Sequence, residues 1–312
     1  MQKIAILGVT GYIGKSLLQE FFVSKNKYQL FLFSRSKSKI KNTIDDLVSV
    51  SDFSIHSYDE FYSYEYDVVI NCTGVGYPSV LKEDPYSIFK ITEEIDTMVL
   101  EYLVKRPKTM YINLSSGAVY GDNFKQPSTE KTNTILHVNA LSPQEYYAVT
   151  KINAEAKHRS MAHLYIVDIR VFAFFSRFLD TKVEFLMSEI VACLQSGKIF
   201  KTSKENIIRD YVIPQELFSL IRLLMKKRKI NDFFDLYSLK PVSKLKLLEA
   251  LKKKFGLQYS FFQNQDVNTN TISKKIYYSK NKKAESIGYI PKFTSLQGIE
   301  YEIEKLLTNR KQ

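Results

Sequence analysis

The chain has 312 residues, 45% hydrophobic and 25% charged, which is ordinary for a globular protein and long enough for one large α/β unit or two domains. Its two cysteines, Cys72 and Cys193, form no CxxC pair or Cys/His cluster; they argue against a disulfide framework or a zinc site and fit a reducing cytoplasm. The net charge of +12 raises nucleic acid as a partner, but the lysines are scattered. Their clusters, such as Lys226-Lys227-Arg228 and Lys252-Lys253-Lys254, fall at predicted helix ends or on amphipathic faces. They read as a solvated surface, and no nucleic-acid partner is expected.

In chain order, residues 3–8 predict a buried strand and residues 13–22 a helix. Strands follow at 29–33 and at 67–72, the latter running into Thr73-Gly74. A helix is expected over 91–104, a strand over 109–114 leading into Ser115-Ser116, a helix over 143–159 and a buried strand over 164–172. The apolar run 164–175 is broken by Asp168 and Arg170, so no membrane span is expected. Beyond residue 173 the chain reads as helices, at 183–195, 215–228 and 244–255, joined by basic loops. Strand–helix alternation of this kind predicts an α/β fold, a doubly wound parallel sheet of the Rossmann type, with ligands bound outside the carboxyl ends of its strands. The expected division is 1–172 for the sheet domain and 173–312 for a smaller, mostly helical lobe grown onto it, with an approximate boundary across which strands can interleave.

The first strand closes on Gly8-x-x-Gly11-x-x-Gly14, and the next helix opens there. Glycines permit a tight turn and close backbone approach, and a helix N-terminus offers free N–H groups to a pyrophosphate. Gly8, Thr10, Gly11, Tyr12, Ile13 and Gly14 are therefore the predicted dinucleotide cradle, with Cys72, Thr73 and Gly74 at the neighbouring strand end. A carboxylate at the end of the second strand would bond a ribose 2′-OH. Ser34, Arg35 and Ser36 stand there instead, and an arginine fork suits a 2′-phosphate. NADP(H) is the expected cofactor, with NAD(H) as the alternative.

Tyr147 and Lys151 are four residues apart and share one face of a helix. A free phenol titrates near pH 10; an ammonium one turn away, helped by an oxidised nicotinamide, stabilises the phenolate and makes the tyrosine a usable acid or base. Ser116, at a strand's carboxyl end, is placed to hold the reacting oxygen. Tyr146 is followed four residues on by Thr150, so Tyr147 is the better candidate.

The chain resembles the extended short-chain dehydrogenase/reductases, an NAD(P)-dependent family acting on nucleotide sugars, over nearly all of its length. The glycine loop, the Ser116-to-Gly121 stretch and the Tyr147/Lys151 pair carry the resemblance. Ile208-Arg209-Asp210-Tyr211-Val212 and the segment from Tyr278 to Pro291 add to it. The resemblance implies that Arg209 contacts a substrate diphosphate, that residues beyond 173 form most of a nucleotide-sugar lobe, and that a homodimer is possible. The chain also departs from the family. Phe172-Ala173-Phe174-Phe175-Ser176-Arg177 replaces an Asn followed by Tyr-Gly-Pro, and Asn71 to Gly76 replaces a His- and Ala-rich run. Ser116-Gly117-Ala118 stands where the sugar 4,6-dehydratases carry Thr-Asp-Glu, so the acid/base pair for water elimination is missing.

The expected activity is NADPH-dependent reduction of a nucleotide-linked 4-keto, often 6-deoxy, sugar by a Ser116/Tyr147/Lys151 triad. A nucleotide-sugar 4-epimerase using the same triad is the alternative, and a non-catalytic dinucleotide-binding scaffold a more remote one. No metal is expected.

Overall fold

Alternating burial along the first strands dictates a sheet covered on both sides. In β1 (Gln2–Leu7), Ile4 and Ile6 enter one core while Ala5 and Leu7 enter the other. β2 (Tyr28–Phe33) divides Leu30 and Leu32 from Phe31 and Phe33 in the same way. Successive strand side chains face opposite sides, so helices must cover both. The computed structural model describes residues 1–24, 28–45, 47, 52–74, 84–121, 124–183, 185–262 and 274–308.

Between and after these strands the chain forms α1 (Tyr12–Phe22), α2 (Lys37–Asp45), β3 (Asp52–His56), β4 (Val68–Asn71), α3 (Tyr86–Lys105), β5 (Met110–Ser116), α4 (Pro143–Ser160) and β6 (Tyr165–Val171). The lobe contributes β7 (Ala173–Phe174), α5 (Leu186–Ser196), β8 (Phe200–Thr202), β9 (Ile208–Arg209) and β10 (Tyr211–Val212). α6 (Pro214–Lys227) and β11 (Asp232–Leu236) follow, then β12 (Val242–Ser243), α7 (Lys244–Phe255), β13 (Tyr259–Phe261), β14 (Ile276–Tyr277) and α8 (Ser295–Thr308).

The main sheet runs β11-β6-β5-β4-β1-β2-β3, every pairing parallel. The order reverses between β1 and β4, which opens a crevice at their carboxyl ends. α1 and α6 cover one face, with Phe21 edge-on to Phe218 at 4.9 Å; α3 covers the other with Val99, Tyr102 and Leu103. The lobe has its own core, in which Met187 and Ile190 of α5 meet Leu247 and Leu251 of α7 and Ile299 and Ile303 of α8. Among the described residues no helix is long and apolar enough to cross a membrane.

Departures from the predicted elements include the strands β3 and β11 and the start of one helix. α6 and β11 lie beyond residue 173 yet return to the main sheet, β11 pairing with β6 from Asp232↔Val167 to Leu236↔Val171. The division at residue 173 is thus interleaved. β11 escapes periodicity because Asp232 and Asp235 interrupt its apolar run, and Asp235 is buried only in company with Arg170, Tyr120 and Ser279. The helix expected from residue 183 begins at Leu186, because Phe185 is still extended at φ −120° and ψ 150°. β3 is an edge strand of half-exposed residues and carries little apolar signal.

Candidate active site

The glycine loop is built by backbone contacts. Gly8 has φ +76° and donates to Phe33 O at 3.0 Å, and Gly11 N–H donates back to Gly8 O at 3.0 Å. A Cβ on Gly14 would stand 2.1 Å from Gly8 O, so the first turn of α1 rests directly on the loop. Gly11 caps α1 with extended backbone and no side-chain cap bond, and no acid lies in the first turn. Backbone donors at the positive end of a helix, above a turn with no room for side chains, fit a dinucleotide pyrophosphate. The Tyr12 hydroxyl accepts from Ser176 N–H at 2.6 Å and its ring meets Phe174 edge-on, so this side chain braces the lobe and leaves only the Tyr12 backbone for the predicted cradle. Ile13 packs toward the core of the sheet.

Cys72, Thr73 and Gly74 form the facing wall. A Cβ on Gly8 would meet Thr73 N at 3.0 Å and Cys72 C at 3.1 Å. The Thr73 N–H and hydroxyl both donate to Asn71 Oδ1, at 2.9 and 2.5 Å. Burial pushes the Cys72 thiol up to about 12, which disfavours its thiolate. Val75 and Gly76 lie outside the described residues.

At the end of β2, Ser34 is buried and its hydroxyl lies 3.3 Å from Thr10 Oγ1; Ser36 N–H faces it at 3.5 Å. Lys37 is taken by Glu60 at 2.6 Å, and that contact, with Ser57, holds the Glu60 carboxyl down at about 2. Arg35 is exposed and has no carboxylate partner among the described residues. Glu60, distant in sequence, thus separates two cations that look equivalent in the chain.

Ser116 ends β5 and caps the 3-10 turn Gly117–Tyr120, its Oγ accepting from Ala118 N–H at 3.1 Å. α4 opens with Pro at its first position, and Ser142 N–H donates to the Glu145 carboxylate at 2.7 Å. Lys151 is 4% exposed and donates from Nζ to Leu114 O at 2.9 Å, which pins α4 to β5 two residues before Ser116. The same Nζ lies 5.9 Å from the Tyr147 ring centroid and 3.8 Å from where a Cβ on Gly74 would sit. Lys151 therefore joins the candidate acid to the cofactor wall. Tyr146 turns instead to Phe89 of α3, ring centroids 5.9 Å apart.

Beneath this end of α4, Glu155 accepts from Ser115 at 2.5 Å and from Arg170 Nε at 3.0 Å, and Arg170 Nη1 donates to the Tyr120 hydroxyl at 3.0 Å. Gly117 lies under Phe172, where a Cβ would come within 2.4 Å of the ring. No carboxylate side chain fits at that position.

Arg209, on β9, donates from Nη1 to Ile208 O at 2.9 Å and to Lys275 O at 3.4 Å, and its guanidinium lies 5.7 Å from the Tyr277 ring centroid. Its neighbour Asp210 is structural: it accepts from Ser238 N–H at 3.0 Å and from the Ser295 hydroxyl at 2.8 Å. Sequence reasoning passed over Tyr277, which lies beside both Ser116 and Arg209; only the pairing of β14 with β9 reveals it.

A doubly wound parallel sheet, a glycine cradle at its switch point and a tyrosine–lysine helix across the crevice define a Rossmann-type protein of the dinucleotide-dependent class. The chain belongs to the NAD dependent epimerase/dehydratase family, whose model matches residues 4–235. No curated protein matches it in sequence. Among solved structures it is similar to a UDP-glucose 4-epimerase from Stenotrophomonas maltophila, with bound NAD and formylated UDP-arabinopyranose, at 15% identity and TM-score 0.80 over 100% of both chains. It is also similar to the Thermotoga maritima UDP-glucose 4-epimerase with UDP-glucose, at 18% identity and TM-score 0.79 over 100% of both chains. The dTDP-glucose 4,6-dehydratase from Bacillus anthracis, in complex with NAD, aligns at 15% identity and TM-score 0.76 over 100% of this chain and 98% of the other.

Proposed function

We propose that the chain is an NADPH-dependent reductase of a nucleotide-linked 4-keto sugar, including the 6-deoxy type. The observation that carries this reading is the end of β2, where Arg35 is exposed, Ser34 to Ser36 include no acid, and the nearby Glu60 carboxylate is paired with Lys37. A 2′-phosphate meets a charge-assisted donor there rather than a repelling carboxylate. The packing of Phe172 on Gly117 supports it from the other side, since a dehydratase acid has no room after Ser116. Several aligned structures hold UDP-sugars, which supports a nucleotide sugar as ligand.

The glycine loop, Ser34 to Ser36, the Cys72–Gly74 wall and Lys151 would hold the dinucleotide, which when bound supplies hydride to the keto carbon. Ser116 donates a hydrogen bond to the keto oxygen, and Tyr147 gives that oxygen its proton. The Lys151 ammonium lowers the cost of the phenolate left behind. Arg209 pairs with the diphosphate, and holding the sugar in register with the nicotinamide is the larger part of the rate enhancement.

In assays with nucleotide 4-keto-6-deoxy sugars, absorbance of the reduced nicotinamide falls in proportion to product, and NADPH binds more tightly than NADH. Arg35→Asp weakens NADPH by roughly 10–100-fold, the loss of a charge-assisted contact, and reverses the preference. NADH binding equal to or tighter than NADPH overturns the cofactor assignment.

A 4-epimerase is the second reading, favoured by the aligned 4-epimerases that hold NAD. It requires interconversion of ordinary nucleotide hexoses with no net change in the nicotinamide band, and that outcome would replace the reductase.

A further inference from the structure

We infer that Tyr277 is a positioning residue for the reaction: its hydroxyl fixes the Ser116 proton toward the sugar oxygen, and its ring seats Arg209 for the diphosphate. The inference rests on the roles of Ser116 and Arg209 in the proposed function.

β14 lies parallel to β9 with Tyr277 in register with Arg209. Ile276 N–H donates to Phe124 O at 3.1 Å, which ties the strand to the loop after β5. The Tyr277 ring is wedged edge-on against Phe124 at 4.7 Å and tilted against Phe172 at 5.1 Å. Its faces meet two cations, the Arg209 guanidinium at 5.7 Å and Lys274 Nζ at 5.0 Å. So held, its hydroxyl reaches 3.4 Å from Ser116 Oγ.

A serine hydroxyl has one proton and two lone pairs. Ala118 N–H occupies one lone pair of Ser116 at 3.1 Å. A phenol is a stronger donor than an aliphatic hydroxyl, and cations over its ring strengthen it further. Tyr277, as the stronger donor, gives its proton to the second lone pair, which turns the Ser116 proton toward the substrate. A serine so oriented acts as a donor, as polarising a ketone requires. The ring meanwhile gives Arg209 an aromatic seat that restricts its rotamers before the diphosphate arrives.

Steady-state kinetics on the full chain with a nucleotide 4-keto sugar and NADPH test this. Tyr277→Phe keeps the seat and loses the donor, so kcat falls about fivefold to tenfold, as for one neutral hydrogen bond, while KM stays within about twofold. Tyr277→Ala also raises the nucleotide-sugar KM by roughly tenfold, about the upper measure of a partly desolvated cation–π contact. Tyr277→Phe placed in a Ser116→Ala background lowers kcat no further, because the hydroxyl acts through Ser116. Wild-type kcat in Tyr277→Phe, or a loss that multiplies with that of Ser116→Ala, overturns the inference. Melting curves and near-UV circular dichroism identify a variant that has simply lost its fold, and the phenylalanine variant then carries the test. Absence of turnover in the unaltered chain would sink the functional reading instead. Calorimetry with UDP and dTDP as probes then decides the inference: tenfold weaker binding by Tyr277→Ala than by Tyr277→Phe supports it, and equal binding overturns it.

Discussion

Tyr147→Phe lowers kcat by roughly 10²–10⁴-fold, the range for loss of a positioned general acid, while NADPH affinity stays within about twofold. The substitution removes one oxygen from a half-buried ring and leaves the glycine cradle and the Lys151–Leu114 anchor untouched. Tyr146→Phe, on a ring packed against Phe89 and turned toward α3, stays within about threefold of wild type, as expected for a group outside the proton path. Stopped-flow turnover of both variants, beside NADPH titration, makes the comparison. Large loss in Tyr146→Phe with little in Tyr147→Phe would move the acid by one residue and rotate the whole assignment about α4.

His158→Ala lowers the stability of the chain by roughly 3–5 kcal/mol, the usual cost of removing one partner from a buried ion pair. For a protein of this size that corresponds to roughly 6–15 °C in Tm. The His158 side chain is fully buried between two acids, Nδ1 at 2.9 Å from Asp168 and Nε2 at 2.7 Å from Asp96. Lys157 pairs with Asp96 at 2.6 Å, Arg159 with Asp168 at 3.0 Å, and the Tyr111 hydroxyl donates to Asp96 at 3.2 Å. Burial works against charge on the ring, but Asp168 and Asp96 outweigh it and raise its pKa to about 9. Asp96 is in turn held below its ordinary value, against its own burial, by His158 and Lys157.

A histidine whose pKa is raised on folding contributes stability that is full below its unfolded value near 6.5 and is lost as pH rises through about 9. Wild-type Tm therefore falls more steeply than that of His158→Ala between pH 7 and pH 10. Parallel pH profiles, or a drop in Tm under about 2 °C, would refute this account of the network. The cluster also reaches the cofactor crevice. Asn113 bridges Asp168 at 2.8 Å to Asn71 at 3.3 Å, and Asn71 holds both donors of Thr73.

Phe172, Glu60 and His158 mark where sequence reasoning stopped. Phe172 reads in sequence only as a departure from the family pattern, yet its ring closes the position after Ser116. Arg35 and Lys37 are equivalent as residues; Glu60, supplied from beyond β3, pairs with one and leaves the other exposed. His158 has no apolar or motif context that announces an ion cluster, because its two acids come from α3 and β6.

By itself the sequence determined five strands of the main sheet, the glycine turn and the Tyr147–Lys151 spacing. Each depends on short-range rules: two-residue alternation along a strand, glycines where a strand turns into a helix, and the i, i+4 neighbourhood of Tyr147 and Lys151. The tertiary structure alone decided that β11 returns to the sheet through its pairing with β6. It also brought Tyr277 to Ser116 across 161 residues of chain and Arg209 to the Tyr277 ring. Local spacing fixes the direction of a side chain within its own element. What that side chain meets is fixed by strand pairing and core packing between distant segments, which no periodicity in the chain encodes.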